Sequence, residues 1–437
     1  MIPQYALEAL NTLERKGYEA YFVGGCVRDM VRGREPCDWD ISTNALPMQT
    51  IEAFSGFHIV ETGLKHGTVT VFVDSMPVEI TTYRSEGAYV GNRRPENVRF
   101  ICCLDEDLKR RDFTMNAMAY NPALGIKDPL RGMDDIKSGV IRAVGNPAER
   151  FEEDALRILR GMRFSSCLGY EIELLTFTAM AEKAPLLNNI SKERVFSEIK
   201  KMALGDHIFK ALSKCAEILR EVIPEIDSTI GFNQKNRHHI YDVWEHTARA
   251  VAYSPPDLWV RLALIFHDVG KPNSFTIDKN GEGHFYGHAK LSAEMTRTAL
   301  LRLKADKRTV EEVTWLVAFH DYQLKDDEKT VQRLISRFGS ERARRLLQVK
   351  IADNMAQSPR YQIRGKEASR LLEMLDITEK GQNRLTLKDL AVKGEDLLAI
   401  GMRGQSVGEA LESLLEDVID GKCQNVREEL LKRVKGR

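Results

Sequence analysis

Hydrophobic residues recur with two different spacings along this chain. Between residues 20 and 82 they form short, partly alternating runs, such as Tyr21-Phe22-Val23 and Thr68–Val73, which is the pattern of β-strands. At the start of the chain and beyond residue 146 the spacing is three to four positions, which is typical of amphipathic helices. The pattern predicts an α+β head, in which helices pack on a mixed sheet, followed by an all-α neck, body and tail.

The same pattern sets approximate bounds for the elements. Leu7, Leu10 and Leu13 predict a helix within residues 1–17, and a single helix is predicted over residues 153–164. Strands are predicted at 21–23, 57–60, 68–73 and 77–81, further helices over 177–204 and 360–437, and an aperiodic loop over 82–100. The predicted domains are the head (1–145), the neck (146–225), the body (226–360) and the tail (361–437), whose expected core residues are Leu390, Leu397, Leu398, Leu411, Leu414 and Leu415.

Composition adds a constraint on charge. The chain has 437 residues, enough for two to four domains, and its 64 basic residues are matched by 64 acidic ones. A net charge of zero gives no sign of a nucleic acid partner. If the protein binds one, its positive charge must be concentrated locally.

The sequence also indicates a compartment. No stretch approaches the roughly 18 apolar residues of a membrane span, and charges begin at Glu8, which is unlike a signal peptide. Seven scattered cysteines without a C-x-x-C pair suit a reducing compartment and argue against a disulfide framework or a cysteine zinc site. We therefore expect a cytoplasmic protein with no membrane partner.

Two glycines and two aspartates mark a candidate triphosphate site in the head. Gly24-Gly25 end an apolar run and precede a segment compatible with a helix, so backbone N–H groups can approach phosphate oxygens. In Asp38-Trp39-Asp40, strand alternation would put both carboxylates on one face, as a pair of Mg²⁺ ions requires. Singly, a Gly-Gly pair is most often a turn and D-x-D a solvated strand end; together they favour a phosphate site.

Four motifs in order carry a resemblance to a known family. They are G-G-C-V-R-D from Gly24, D-W-D-I from Asp38, R-R-D-F-T-M-N-A from Arg110 and E-D-A-L-R from Glu153. The set resembles the class II tRNA nucleotidyltransferases (CCA-adding enzymes) and the related bacterial poly(A) polymerases, within the polymerase-β-like superfamily. The resemblance implies a nucleotidyltransferase head and extends through nearly the whole chain.

The resemblance also implies a reaction. The 3′-hydroxyl of tRNA would attack the α-phosphate of CTP or ATP, without a nucleic acid template, with Mg²⁺ on the catalytic residues Asp38 and Asp40. Asp154 and Arg157 would accept the edges of cytosine and adenine and reject guanine and uracil. The implied nucleotide-binding residues are Gly24, Gly25, Arg28, Arg111, Asp112, Asn116, Asp154, Arg157, Arg160 and Arg163.

Alternatives to complete CCA addition stay open. Residues 82–100, with Arg84, Glu86 and Arg93, correspond to a loop that enzymes adding only C tend to have shortened, and its full length favours addition of the terminal A. The alternatives are an enzyme adding only A, a poly(A) polymerase, a remnant head beside a hydrolytic activity, and a non-catalytic RNA-binding protein. The sequence leaves a monomer and a homodimer equally open.

Weaker motifs favour structural or auxiliary roles. Glu79 is a candidate third carboxylate, although an exposed strand glutamate explains it equally well. Asp128 with residues 132–136 resembles a segment that links head and neck, Ser191 is expected to cap a helix, and Arg194 is expected to pair with Glu198. Candidate tRNA phosphate contacts, each also explicable as a solvated surface, are the glycine-spaced run 401–411 and the basic clusters 342–345, 360–370 and 432–437.

A second candidate site lies in the predicted body. His246, His267-Asp268, His288, His320 and Asp353 follow one another in an order that resembles the HD phosphohydrolase superfamily. The resemblance implies a divalent metal (Mn, Ni or Mg) held by His246, His267, Asp268 and Asp353, with His288 and His320 as two further candidate ligands. It implies phosphatase or 2′,3′-cyclic phosphodiesterase activity and leaves the substrate open.

Overall fold

Two compact units make up the protein. A computed structural model describes residues 2–86, 89–90, 94–95, 98–380 and 385–435, and the chain divides into Met1–Pro224 and Glu225–Arg437. Among the described residues, no helix is both long and apolar enough to cross a membrane.

The first unit opens with the predicted α+β arrangement. Its strands are β1 (Ala20–Val23), β2 (Asp40–Thr43), β3 (His58–Val60), β4 (Thr68–Val73), β5 (Met76–Thr82), β6 (Arg84–Glu86), β7 (Tyr89–Val90), β8 (Arg94–Pro95), β9 (Val98–Phe100), β10 (Ala119–Asn121), β11 (Gly125–Lys127), β12 (Val140–Ile141) and β13 (Glu171–Ile172). Its helices are α1 (Gln4–Arg15), α2 (Gly25–Val31), α3 (Pro47–Ala53), α4 (Leu104–Lys109), α5 (Gly132–Ser138), α6 (Pro147–Glu153), α7 (Leu156–Leu168), α8 (Leu174–Lys183), α9 (Lys192–Ala203), α10 (Ile208–Lys214) and α11 (Ala216–Leu219).

Seven of these strands form one mixed sheet in the order β11-β10-β1-β2-β5-β4-β3. Strand β2 lies at its centre, antiparallel to β1 and parallel to β5. Val69, Val71 and Val73 of β4 are buried while the residues between them are partly exposed, so period-2 alternation holds here as predicted. Helices α1 and α3 lie against β4 and β5 and cover the apolar side of the sheet.

The segment over residues 82–100, predicted as a loop, contains paired strands instead. Strand β6 pairs antiparallel with β9, and β7 pairs antiparallel with β8. The prediction was wrong because the segment is rich in Arg, Gly and polar residues, and strands of two or three residues are too short to show a hydrophobic period in the sequence. Arg93 lies outside the described residues.

The helix predicted over 153–164 is interrupted. Helix α6 ends at Glu153, Asp154 has an extended backbone (φ −133°, ψ 100°), and α7 begins at Leu156. Apolar periodicity missed the break because buried residues continue on both sides of it, from Phe151 to Ile158. The break turns Asp154 away from the helical path at the position that the motif singles out.

The second unit is helical, as predicted. Its helices are α12 (Val243–Tyr253), α13 (Leu258–Phe266), α14 (Lys271–Ser274), α15 (His288–Arg302), α16 (Lys307–Phe319), α17 (Glu328–Phe338), α18 (Ser340–Met355), α19 (Ile363–Lys380), α20 (Gly394–Ala399), α21 (Gln405–Ile419) and α22 (Arg427–Lys435), with a short strand pair β14 (Thr276–Ile277) and β15 (Gly283–His284). Helices α12, α13, α16 and α18 pack together, and α18 and α19 form an antiparallel hairpin around Pro359–Tyr361.

The last three helices have a small hydrophobic core of their own. Leu390, Leu397, Leu414 and Leu415 are buried in it and Leu411 is partly buried, as expected. Leu398 is 54% exposed, because α20 is too short to bury two neighbouring leucines on one face. Within the glycine-spaced run, Gly404 has φ +61° and α21 starts at the next residue, so the predicted turn into a helix is present.

Candidate functional site

A single open cleft of about 800 Å³ in the first unit brings together the predicted catalytic and nucleotide-binding residues of the head and the neck. All twelve of them line it: Gly24, Gly25, Arg28, Asp38, Asp40, Arg111, Asp112, Asn116, Asp154, Arg157, Arg160 and Arg163. The lining includes eight basic and four acidic side chains. A chain with no net charge thus concentrates positive charge in this cleft.

The floor of the cleft is the turn between β1 and α2. Gly24 has φ +76°, a backbone conformation that side chains other than glycine rarely adopt. A Cβ atom on Gly24 would lie 3.3 Å from a guanidinium nitrogen of Arg111, and one on Gly25 would lie 3.9 Å from a carboxylate oxygen of Asp38. The absent side chains therefore leave room beside both the arginine and the carboxylate, at the N-terminus of α2.

Three carboxylates lie close together here, of which Asp38 and Asp40 line the cleft and Glu79 does not. Asp40 begins β2 and stands beside Glu79 of the parallel strand β5, whereas Asp38 precedes the strand and is exposed. The expectation that both aspartates lie on a strand was therefore wrong, because β2 starts only at the second one. Burial, reinforced by repulsion from Asp38 and Glu79, raises the pKa of Asp40 to about 7. A divalent cation would relieve the repulsion between these carboxylates, because carboxylate oxygens are the ligands that such cations prefer.

The raised pKa of Asp40 has a consequence for stability. The pKa of an aspartate is near 3.9 in an unfolded chain, whereas that of Asp40 is about 7 in the folded protein. Folding therefore opposes ionisation of Asp40, and the metal-free protein loses part of its free energy of unfolding as pH rises from about 4 to 7. Asp40→Asn removes this titration and should stabilise the metal-free protein by about 4 kcal/mol at pH 8, with the gain vanishing near pH 4. Urea denaturation in EDTA across this range measures it.

The exposed residue Glu52 of α3 provides the matched control for that experiment. Glu52→Gln removes one carboxylate of the same unit without touching the cleft, and it should leave the pH dependence of unfolding as in the parent. Equal pH profiles for Asp40→Asn and the parent would contradict the prediction.

Asp112 lies at the centre of a hydrogen-bond network in the cleft. Its carboxylate accepts hydrogen bonds from the backbone N–H of Phe113 (2.8 Å) and the amide of Asn116 (3.2 Å), and it pairs with Arg160 at 2.6 Å. Burial alone would raise the pKa of Asp112, but Arg160 and these hydrogen bonds hold it down at about 2. Asn116 in turn accepts from Arg28 at 2.9 Å, so side chains from two motifs and from helix α7 form one connected network.

Three arginines surround one aromatic ring at the far side of this network. The guanidinium carbons of Arg163, Arg28 and Arg160 lie 4.3, 5.3 and 5.5 Å from the centre of the Phe164 ring. Arg163 also pairs with Glu198 at 3.2 Å. Burial and the nearby charge of Arg160 lower the pKa of Arg163, a sign that the positive charges repel one another.

The pairings near the helix break differ from those predicted. Arg194 donates to Asp154 (3.0 Å) and Glu198 is paired with Arg163, so the expected Arg194–Glu198 brace is not formed. The spacing of four residues predicted an ion pair within α9. Each of the two side chains pairs instead with a residue about 35 to 40 positions earlier, which the sequence spacing does not reveal. Ser191 stands at the N-cap of α9, but its hydroxyl makes no capping hydrogen bond.

Arg157 is held in place from two sides. It is buried, donates to Glu153 at 2.7 Å and to the backbone carbonyl of Arg110 at 2.9 Å. Asp154 and Arg157 therefore both line the cleft but are fixed by different partners.

Asp107 is a residue that the sequence reasoning missed. Its buried carboxylate pairs with Arg110 (2.8 Å) and Arg111 (3.3 Å) and accepts from the backbone N–H of Arg84 (3.2 Å). It thereby ties two arginines of the cleft to the start of β6. The signal was present, since Asp107 precedes the two arginines by three and four positions on a helix.

The motif that links head and neck makes structural contacts, as expected. The carboxylate of Asp128 accepts from the backbone N–H groups of Gly132 (2.7 Å) and Met133 (2.8 Å) at the start of α5. Asp135 accepts from Thr114 (2.6 Å) and Arg142 (3.1 Å).

In the second unit the predicted histidines and aspartates converge. The Nε2 atom of His246 lies 2.9 Å from Asp353 and 3.7 Å from Asp268 Oδ2, which is 3.2 Å from His267 Nε2. On the other side, Asp268 Oδ1 lies 3.5 Å from His288 and 3.8 Å from His320, whose Nε2 atoms are 3.1 Å apart. We call these six residues the histidine–aspartate cluster.

The cluster fits a divalent transition metal. Its ligand atoms fall into two sets, one of His246, His267 and Asp268 and one of Asp268, His288 and His320, each within 4.8 Å. The Nε2 atom of the buried His267 makes no hydrogen bond of good geometry to any described residue. Because buried polar atoms are normally hydrogen-bonded, this nitrogen is available to coordinate a metal ion. Imidazole and carboxylate together suit Mn, Fe, Ni or Zn, and Asp268 is common to both sets.

Arginines of the predicted basic clusters in this unit are compensated by acids. Arg342 pairs with Glu312 at 2.9 Å and Arg345 pairs with Asp257 at 3.0 Å, while Arg370 pairs with Asp326. Their charge is thus partly neutralised within the chain. Arg437, at the end of the last cluster, lies outside the described residues.

Comparison with known proteins defines the class. Residues 20–142 match the Poly A polymerase head domain, and residues 284–434 match tRNA nucleotidyltransferase domain 2. The CCA-adding enzyme of Streptococcus mutans is 32% identical over 431 residues, covering 98% of this chain and 96% of that protein. The head and its cleft therefore define a nucleotidyltransferase, and the chain belongs to the CCA-adding enzyme family.

Other relatives agree with this placement. The CCA-adding enzyme of Streptococcus suis is 49% identical over 209 residues, a match that spans 48% of this chain and only about half (51%) of that relative. The crystal structure of the Bacillus stearothermophilus CCA-adding enzyme in complex with CTP is 30% identical, with a TM-score of 0.75 over 100% of this chain and 99% of that one. The Thermotoga maritima CCA-adding enzyme complexed with tRNA shares the fold at 19% identity (TM-score 0.59, 99% and 94% covered).

Proposed function

We propose that this protein adds the 3′-terminal C, C and A to tRNA from CTP and ATP without a nucleic acid template. The observation that carries the proposal is the single cleft that unites the glycine turn, the carboxylates and the side chains of α7. The family membership supports the same activity, as do the names of relatives seen with CTP and with tRNA.

The carboxylates of Asp38 and Asp40, with Glu79 beside Asp40, would hold a divalent cation, for which we propose Mg²⁺. When bound, the cation makes the 3′-hydroxyl of the RNA a better nucleophile and screens the phosphate charge. The hydroxyl oxygen forms a bond to the α-phosphorus, the bond from this phosphorus to the bridging oxygen breaks, and pyrophosphate leaves. The hydroxyl proton passes to water.

The remaining cleft residues bind and orient the nucleotide. Backbone N–H groups of the Gly24-Gly25 turn and the guanidinium groups of Arg28 and Arg111 lie where a triphosphate meets the N-terminus of α2. Asp112 and Asn116 face the same space with an acceptor and an amide, which suits ribose hydroxyls. Arg160 and Arg163 supply further positive charge.

Asp154 and Arg157 select the base. Cytosine and adenine each present an amino donor next to a ring nitrogen acceptor, whereas uracil and guanine present a carbonyl next to an N–H. A carboxylate acceptor beside a guanidinium donor matches the first arrangement. Protein side chains in this way replace a template strand.

The test is incorporation of single labelled nucleotides into three tRNA transcripts, ending at the discriminator base, at C and at CC. Addition of two C and then one A, with no further growth, is expected. Addition of A alone to the CC-ended transcript, or long tails of A, would replace the proposal with an A-adding enzyme or a poly(A) polymerase. Absence of any addition would overturn it.

A second activity is favoured by the histidine–aspartate cluster. We propose that the cluster binds a divalent metal and supports hydrolysis of phosphate esters, because six ligand side chains converge with both oxygens of Asp268 facing histidine nitrogens. Metal analysis of the purified chain and of His246→Ala with His288→Ala tests this, with loss of bound metal expected in the double variant. A parent chain without bound metal would refute it.

We also propose that the protein works in the cytoplasm. None of the seven cysteines, all within the described residues, forms a disulfide, which suits a reducing compartment, and tRNA synthesis supplies the substrate there.

A further inference from the structure

A pocket of about 550 Å³ lies in the second unit. One of its walls is α17 with the loop before it, the other is α21, and none of the six residues of the histidine–aspartate cluster lines it. We call it the α17–α21 pocket. Its volume is within the ~300–1,000 Å³ that is usual for pockets that bind small ligands.

Positive charge lines the α17 side of the pocket. Arg333 and Arg337 lie one turn apart on α17, and Lys325 lies in the loop before it. Arg333 is neutralised by an ion pair with Asp420. Arg337 and Lys325 are exposed and form no ion pair with any carboxylate that the structure describes. A guanidinium and an ammonium are therefore available to an anion such as a phosphate.

Negative charge lines the α21 side of the pocket. Glu412 and Glu416 are four residues apart on α21, so their side chains share one face of the helix. Both are exposed, and neither is paired with a basic side chain among the described residues. A carboxylate oxygen accepts hydrogen bonds from N–H groups. The pocket thus presents donors for an anion on one side and acceptors for an amino group on the other.

Two aromatic side chains also line the pocket. The rings of Tyr322 and Phe338 both pack against Phe319, with 6.1 and 5.1 Å between ring centres, and Phe338 packs against Trp315 at 4.9 Å. Tyr322 is 40% exposed, so part of its ring is free to contact a ligand. Rings that are held in place by other rings are suited to stacking with a planar heterocycle.

We propose that the α17–α21 pocket binds a free nucleoside monophosphate whose base carries an amino group, such as AMP or CMP. Arg337 and Lys325 hold the phosphate, Tyr322 and Phe338 stack on the base, and Glu412 accepts a hydrogen bond from its amino group. This nucleotide site is separate from the catalytic cleft, which belongs to the first unit.

The charges of the pocket favour a free nucleotide over a nucleotide within an RNA strand. Arg337 and Lys325 match the roughly 1.5 to 2 negative charges of one phosphate monoester. In a strand, the phosphates of the neighbouring nucleotides would meet Glu412 and Glu416 and be repelled. A base with a carbonyl in place of the amino group would likewise bring an acceptor against a carboxylate. AMP should therefore bind more tightly than IMP and than single-stranded oligoadenylate.

The test is photolabelling of the full-length chain with 2-azidoadenosine 5′-monophosphate in EDTA, followed by mapping of the labelled peptides. We expect label within residues 322–338 or 405–419, and unlabelled AMP should prevent it at a concentration about fivefold or more below that needed of IMP or hexa-adenylate. Label in the cleft of the first unit serves as an internal standard. Label confined to the first unit would overturn the proposal, and stronger competition by hexa-adenylate than by AMP would overturn the choice of a free nucleotide in favour of RNA.

Two variants test the two walls of the pocket. Arg337→Ala should reduce label in the pocket about tenfold or more, because a charged donor to the phosphate is lost. Glu412→Gln should bring the effective concentrations of AMP and IMP to within about twofold of each other, because an amide can donate to a carbonyl as well as accept from an amino group. Both side chains are exposed, so the fold and the label in the cleft should be unchanged.

Lys366→Ala is the matched control, since Lys366 is an exposed basic residue of α19 that does not line the pocket. It should leave label in the pocket as in the parent. Parental labelling in Arg337→Ala, or a parental preference for AMP over IMP in Glu412→Gln, would overturn the proposed arrangement of the nucleotide.

Discussion

Asp38→Asn should lower kcat for addition of C or A to tRNA at least a thousandfold, which corresponds to about 4 kcal/mol of lost transition-state stabilisation. The carboxylate lines the cleft beside Asp40, and an amide there supplies one ligand oxygen without charge. Because Asp38 is exposed and precedes β2, the substitution should leave the fold intact. Single-turnover addition to a CC-ended tRNA measures the effect.

A matched carboxylate provides the control. Asp74→Asn alters an exposed aspartate in the turn between β4 and β5 and should leave addition unchanged. The metal content of the histidine–aspartate cluster should be the same in both variants, because the cluster lies in the other unit. Activity of Asp38→Asn within tenfold of the parent would mean that the ligands of the catalytic cation lie elsewhere.

The second large effect concerns the choice of base. Arg157→Lys should lower kcat/KM for CTP and for ATP by about 10- to 100-fold, since a bidentate contact to a base edge is worth ~1–3 kcal/mol. Lysine keeps the charge but loses the planar fork, and it can still reach the partners of Arg157, Glu153 and the carbonyl of Arg110. The losses should be smaller for UTP and GTP, so discrimination between the two pairs of nucleotides narrows.

Competition between labelled nucleotides at a fixed tRNA end measures this discrimination. Lys183→Ala, which removes a positive charge from an ion pair with Glu152 elsewhere in the unit, should change none of the four values. A uniform loss for all four nucleotides in Arg157→Lys would show that Arg157 supports the helix and does not read the base.

Most residues of the cleft could be predicted because four short motifs resemble those of a known family, whereas the glycine turn and the two aspartates could be read from the residues themselves. A glycine pair after an apolar run specifies a strand, a turn and a helix N-terminus, and the structure has β1, Gly24 with positive φ and α2 in that order. The strands that alternate strictly, such as β4, were likewise predicted within a residue. Local chemistry and local geometry agree at these positions.

Two wrong predictions, the unbroken helix over 153–164 and the Arg194–Glu198 pair, concern positions where contacts between distant residues determine the structure. Nothing in the spacing of E-D-A-L-R reveals that the helix breaks at Asp154, because the carboxylate there is held by Arg194, forty residues away. Glu198 likewise forms its ion pair with Arg163 and not with Arg194, the residue four positions before it. The paired strands β6 and β9 have three residues each, so their sequences are too short to show a period.

The three arginines around Phe164 imply that substrate supply and folding are coupled. Arg160 and Arg163 are each paired with a carboxylate, but the charge of Arg160 still lowers the pKa of Arg163, so an anion in the cleft would relieve the repulsion that is left. A nucleotide that relieves this repulsion binds only the folded head, so it shifts the folding equilibrium by mass action. The enzyme would then be most resistant to unfolding and proteolysis when CTP and ATP are plentiful, and its abundance in a starved cell would fall together with its substrates.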